Sequence, residues 1–304
     1  MLNFFTLSDK NATPITPIIT TEFTSWLTKQ SKRTKALIAA NNFTANSGNC
    51  CLLPDNNGNT AEVLLGIENY NDILAFAALP ARLKHGAWHI NVNVNTAKNS
   101  NWSICKIQKC AIAWALGNYQ YTKYKKQNNK LEAKLYLPKN CDYSHIENVV
   151  NAIFLVRDLI NQPAEHLGPA ELAKIAVTIA KQHKAQIKQI IGDDLLTQNY
   201  PLVHAVGRAS ERAPRVVEFF WGKQNAPKLA IIGKGICFDS GGLDLKPPNS
   251  MEKMKKDMAG AAHALGLANM IMTAKLPVNL HVILPIAENL VAASSYKPGD
   301  IITS

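Results

Sequence analysis

Four ionisable residues in the stretch Lys228–Met258, KLAIIGKGICFDSGGLDLKPPNSMEKMKKDM, have types and spacing suited to metal and acyl chemistry: Lys234, Asp239, Lys246 and Asp257. Two aspartates can supply hard oxygen ligands to a divalent cation, and a lysine deprotonated by burial beside a metal can supply a nitrogen. A second lysine, kept protonated, can polarise a carbonyl. A single lysine or aspartate in a glycine-rich loop is ordinarily a solvated charge. Only the grouping of all four around one strand end carries a chemical reading.

The elements that must hold these residues follow from the flanking pattern. Lys228–Ile232 reads as a short buried strand, and Gly233, Gly235, Gly241 and Gly242 then allow a tight glycine-rich turn. In an open α/β sheet, ligands sit at the carboxyl ends of the strands, where Lys234 and Asp239 emerge. Ser250 is placed to cap a helix from Met251 to about Thr273, with Met251, Met254, Met258, Ala261, Ala262 and Leu265 at helical spacing. Core packing is the expected role of Met251 and Met258. Pro277 separates this helix from a strand at Asn279–Pro285. Upstream, Asn140–Leu159 is expected to be a connecting helix that Pro163 ends, because Ile146, Val149, Val150, Ile153 and Phe154 share one apolar face. Ala170–His183 is expected as a second helix and Val216–Phe220 as a strand. Between Met1 and about Lys139 strands are expected at Ala61–Ile67, Trp88–Val94 and Leu131–Leu137, with helices at Asp72–Leu83 and Cys105–Tyr119.

Several blocks in this order resemble the leucyl aminopeptidase (cytosol aminopeptidase) family. Its metal signature, VGKG-x-x-FD-[ST]-GG followed by a K-P turn and an M-K-x-D-M helix, is matched by Ile232–Gly235, Phe238–Gly242, Lys246–Pro247 and Met254–Met258. RDLINQPAEHLGPAELA from Arg157, VGRASERAPRVVEFFWG from Val206 and LPVNLHVILPIAENLVAASSYKPGDIITS from Leu276 resemble the blocks around it. Several blocks in order are far more specific than one short motif. The resemblance implies an N-terminal macro-domain-like α/β domain over residues 1–139, a connecting helix over 140–162 and a mixed-sheet α/β catalytic domain over 163–304. It implies a two-metal aminopeptidase, with zinc or manganese both open, that releases N-terminal, Leu-like residues from peptides. Lys234, Asp239 and Asp257 would be metal ligands, with Asp239 bridging. Lys246 would be the catalytic electrophile on the scissile carbonyl, and Met254 would line the pocket for the first side chain. Bicarbonate as general base, peptide substrates and a homohexamer belong to the same implication.

The family also has an Asn-Thr-Asp-Ala-Glu-Gly-Arg block roughly a dozen residues beyond a segment like Pro298–Ile301, and the 304 residues contain no such run. The catalytic domain is therefore expected to be incomplete at its C-terminus, with only a partial metal site and with apolar surface uncovered on helices such as Met251–Thr273. A non-catalytic remnant with a scaffold or polyanion-binding role is the alternative. His85 and His89 stand four apart with no acidic partner between them and are not expected to hold a metal.

Composition narrows the remaining classes. Six cysteines without C-x-x-C pairing point to reduced thiols rather than a disulfide scaffold. The N-terminus has no basic segment leading into a long apolar run, and no apolar stretch reaches spanning length, so neither a leader nor a membrane partner is expected and a cytoplasmic location is. The net charge of +11 permits weak attraction to polyanions, yet the densest basic run, Lys123–Lys130, reads as a solvated loop. A nucleic-acid partner is not expected.

Overall fold

The computed structural model describes residues 2–83, 85–92, 101–125 and 131–302, which fall into two compact units, Met1–Val150 and Asn151–Ser304. In the first unit six strands form one sheet: β1 (Phe5–Thr6), β2 (Thr13–Ile19), β3 (Cys50–Pro54), β4 (Thr60–Ile67), β5 (His85–Ile90) and β6 (Glu132–Tyr136), in the order β1-β6-β5-β2-β4-β3. All neighbours are parallel except β3 and β4, which pair antiparallel. The end of β4 is buried without alternation from Val63 to Ile67, as a strand covered on both faces must be. Helices α1 (Phe23–Thr28), α2 (Lys32–Ala40) and α3 (Ile104–Gly117) accompany the sheet. Helix α3 buries Ile107, Cys110, Ala111 and Trp114 along one stripe, and Ser103 caps it by accepting from the Lys106 N–H.

Two expectations in this unit need correction. The helix expected over Asp72–Leu83 is a short 3-10 helix, Ile73–Ala78. Pro80 lacks the N–H that an α-helix would need there and biases Leu79 away from the helical region. The strand expected at Trp88–Val94 begins three residues earlier, at His85; Val94 lies outside the described residues, as does the 126–130 part of the basic run. His85 and His89, four apart on a strand, are about 13 Å from each other along it, too far to share an ion.

Helix α4 (Tyr143–Asn161) spans the division between the units. The second unit continues with α5 (Pro169–Gln182), β7 (Gln186–Ile191), α6 (Asp194–Thr197), α7 (Pro201–Gly207), β8 (Arg215–Trp221), β9 (Lys228–Ile232), β10 (Gly235–Asp239), α8 (Pro248–Met251), a 3-10 helix at Met254–Met258, α9 (Ala259–Thr273) and β11 (Asn279–Asn289). The sheet is mixed. Strand β11 pairs antiparallel with β8, which pairs antiparallel with β7, while β9 and β10 both run parallel to β11 on its other edge. Helices α5 and α9 cover one face, packing Leu172, Ala176, Leu265 and Met272 on Val217, Phe219, Val282 and Leu284. Helices α6 and α7 lie on the opposite face over Ile190, Val216 and Ile283.

Here too the structure departs from expectation. Strand β9 is not buried; as an edge strand it leaves Ile232 70% exposed. The glycine-rich turn begins later than expected, because Gly235–Asp239 is itself strand β10. The long helix from Met251 is broken: α8 begins behind Pro247, Ser250 lies inside it, and α9 starts only at Ala259. The break positions Asp257. The buried positions of α9 include Ala261, Ala262, Leu265 and Met272, so the exposed apolar side chains of the unit are chiefly elsewhere: Leu202 on α7, Ile232 on β9 and Leu243 in the loop after β10. Among the described residues no helix is long and apolar enough to cross a membrane.

Candidate functional site

Strands β9 and β10 are two segments of one sheet edge. The first pairs with Asn279–Ile283 of β11 and the second with Ile286–Asn289, and the chain leaves the ladder between them at Gly233–Lys234. Sequence and packing together explain the break. An added Cβ on Gly233 would lie 2.7 Å from the Ala261 Cα and 2.8 Å from the Gly260 carbonyl oxygen, so only glycine lets the edge run this close to the start of α9. The Lys234 carbonyl, released from the ladder, accepts the Ala261 N–H at 2.8 Å. One of the unpaired donors at the start of α9 is thereby satisfied. The same approach sets the Lys234 ammonium 2.7 Å from Asp257 Oδ2.

A second irregularity aims Asp239. Ile236 is paired with Ala287 but Asp239 with Asn289, so β10 spends three residues where β11 spends two. Such a bulge bends its strand and re-aims a side chain, and bulges concentrate beside functional sites. Beyond it the loop is closed by Ser240, whose N–H and Oγ both donate to the Asn289 carbonyl at 2.9 and 2.8 Å, while its own carbonyl accepts the Lys246 N–H at 2.9 Å. Gly241, at φ +96°, makes the turn; a Cβ there would meet the Asp244 carbonyl oxygen at 2.3 Å. The loop returns Lys246 so that its Nζ lies 2.9 Å from Asp239 Oδ2.

The four residues singled out by sequence thus form two ion pairs at one strand end. Burial pushes the Asp239 carboxyl up, but the Lys246 ammonium, the Gly241 N–H and the Asn289 amide together outweigh it and hold Asp239 below the ordinary carboxylate value. The hydrogen bond to Asp239 raises Lys246 in turn, against a smaller desolvation that lowers it, so the ammonium persists at neutral pH. Asp257 Oδ2 is closed off from solvent and, despite the nearby Lys234, accepts no well-aligned hydrogen bond. The Lys234 side chain is 60% exposed rather than buried. Cys237, two residues before Asp239, is fully buried, and burial raises its thiol well above the ordinary value, which excludes it as a nucleophile.

A cavity of about 380 Å³ opens beside the cluster, lined by Lys234, Asp239, Asp257 and Asn289 together with apolar residues of α7 and the sheet, among them Leu202, Val206, Ile236 and Pro285. Met254 does not line it. This residue is half-buried with Met251 against Ala164, Phe238 and Leu290. Sequence reasoning missed Asn289, whose Nδ2 donates to Asp239 Oδ1 at 2.7 Å. A signal was available: Glu288 and Asn289 follow the apolar run Val282–Ala287 at the carboxyl end of its strand, where polar side chains face ligands.

Comparison with known proteins identifies the family of both units. The sequence model of the cytosol aminopeptidase family catalytic domain matches residues 154–304, and that of the M17 aminopeptidase N-terminal domain matches residues 13–138. The chain belongs to the cytosol aminopeptidase family. A probable cytosol aminopeptidase of Chlamydia abortus is 38% identical over 198 residues, 60% of this chain and 39% of that protein, and one of Mycobacterium leprae is 34% identical over 204 residues, 62% of this chain and 39% of that protein. Among solved structures, the Coxiella burnetii cytosol aminopeptidase superposes with a TM-score of 0.83 at 41% identity, covering 96% of this chain and 62% of that one. A bottromycin maturation enzyme in complex with Mn superposes with a TM-score of 0.75 at 25% identity, covering 95% and 62%. The chain spans about two fifths of the length of the curated relatives it matches. The α/β architecture of both units, expected from alternating elements in the first and from the sequence blocks in the second, is the architecture of this family.

Proposed function

We propose that this chain serves a metal-dependent aminopeptidase, in which Lys234, Asp239 and Asp257 hold a divalent ion and Lys246 acts on the scissile carbonyl. The observation that carries the reading is that Lys234, Asp239 and Asp257 line one cavity at the end of β10, with Lys234 2.7 Å from Asp257 and Lys246 held 2.9 Å from Asp239. The donor set fits one hard or borderline ion: two carboxylates and an amine, with Asp257 Oδ2 buried and faced by the Lys234 ammonium. Among the described residues no three His, Cys, Asp or Glu side chains gather into a metal site, so the set depends on Lys234 as its third member. When bound, the ion would polarise the peptide carbonyl, lower the pKa of water and hold the substrate's free amino group. Zinc and manganese both suit these ligands, and the Mn complex of the bottromycin enzyme favours trying manganese first.

The protein's own part is positional and electrostatic. Lys234 would have to leave its 2.7 Å contact with Asp257 to serve as a ligand. Lys246 stays charged and is pinned by Asp239 at 2.9 Å, with its remaining N–H groups free to donate to the carbonyl oxygen as negative charge develops there. A donor held in place before reaction reorganises little during it. The apolar wall formed by Leu202, Val206, Ile236 and Pro285 suits a Leu-like side chain at the peptide's first position. Met254, packed away from this cavity, would act on that pocket only from outside it.

Hydrolysis of Leu-p-nitroanilide by the metal-supplemented protein, together with calorimetric titration of Mn²⁺, tests the reading. Stoichiometric uptake that Asp257→Ala abolishes, and turnover that Lys246→Ala abolishes, are expected. Uptake unaffected by Asp239→Ala and Asp257→Ala would refute it.

A further inference from the structure

We propose that Asn289 is a positioning residue that decides which oxygen of Asp239 a metal can use. The inference rests on the metal reading of Asp239 and concerns a side chain outside the ligand set. Each carboxylate oxygen offers about two acceptor sites. Asp239 Oδ1 already takes the Gly241 N–H at 3.0 Å and the Asn289 amide at 2.7 Å, which fills it. Among the described residues Oδ2 has the Lys246 ammonium as its partner and keeps an acceptor site in a residue that lines the cavity. A carboxylate presents acceptors alone, so the amide must face it through Nδ2. Asp239 is thereby committed to bind through Oδ2. A bridge that used one carboxylate oxygen for each ion would require Asn289 to let go.

Asn289 is itself held on several sides. Its backbone is in register with Asp239, and its carbonyl receives both donors of Ser240. The preceding residue, Glu288, is 1% exposed and is anchored by the Ser210 hydroxyl at 2.7 Å and by Arg212 at 3.4 Å. The end of β11 is therefore fixed before any ligand arrives, and the amide is a pre-set clamp on the carboxylate. Outer partners of metal ligands typically change affinity by about 10–100-fold when removed.

Mn²⁺ affinity of the whole chain, measured by calorimetry and by the electron paramagnetic resonance of the bound ion, separates this from a packing role. Asn289→Leu keeps the volume and removes the donor; Asn289→Ala removes both, and the pair guards against a variant that fails to fold. In a folded variant the expected result is a dissociation constant raised about tenfold or more, an altered Mn²⁺ spectrum and a melting midpoint lowered only by the few degrees that one lost hydrogen bond costs. Equal affinities and spectra in the wild type and a folded variant would overturn the role of Asn289 while leaving the metal reading intact. A wild-type chain that takes up no Mn²⁺ would overturn both.

Discussion

Alanine at Gly233 puts the link between fold and site to a direct test. The added methyl would stand 2.7 Å from the Ala261 Cα, 2.8 Å from the Ala264 Cβ and 2.8 Å from the Gly260 carbonyl oxygen. Relaxed contacts between carbons lie at about 3.5–4.0 Å, so the two carbon contacts are short by about 1 Å. All three neighbours belong to the first turns of α9, and relief requires that end of the helix to retreat from the sheet edge. Retreat by that amount breaks the 2.8 Å hydrogen bond from Ala261 to Lys234. Overpacking of this kind costs about 1–3 kcal/mol, and the lost hydrogen bond about 1 kcal/mol. The sum of about 2–4 kcal/mol lowers the melting midpoint by about 4–16 °C at the sensitivity of a unit this size. The same movement carries Asp257 away from Lys234, so Mn²⁺ affinity should fall alongside stability. Calorimetric melting of the metal-free chain and Mn²⁺ titration of the folded variant measure the two effects. A Gly233→Ala chain that melts with the wild type and binds Mn²⁺ equally well would show that the close approach does not hold the site together.

Two further outcomes follow from the electrostatics. In the metal-free chain, Asp239 is held below its ordinary value of 3.8, so its contribution to stability is present above that pH and is lost as pH falls through the lowered value; Lys246, raised above 10.5, contributes fully below that pH and loses its part as pH rises through the raised value. A double-mutant cycle of Asp239→Asn and Lys246→Met should therefore show a flat coupling across neutral pH that vanishes only in strong acid or strong base, and a coupling that disappears near neutrality would contradict the pairing. Thiol labelling of the native chain should modify Cys105, which is exposed, well before the others: burial pushes Cys110 up to about 12 and Cys141 up to about 11, raises Cys50 and Cys51, and encloses Cys237. Rapid labelling of Cys237 without unfolding would show that the strand behind Asp239 is not packed as described.

Lys234, Asp239, Lys246 and Asp257 were legible in the sequence because their types are chemically unusual together and their spacing survives in one dimension. The apolar periodicities of α3, α5 and β8 were legible for a similar reason, since a buried face leaves a local pattern. What the sequence could not reveal arose from contacts between distant segments. It determined which groups could carry the chemistry, and the family blocks around them. The tertiary structure alone decided that Gly233 lets the sheet edge break against α9, that a bulge turns Asp239 toward Asn289, and that Met254 packs beside Phe238 rather than in the cavity. It also left Lys234 largely in solvent, where burial had been expected. Each of these outcomes depends on which backbone or side chain arrives from elsewhere in the chain, and local composition carries no record of that arrival.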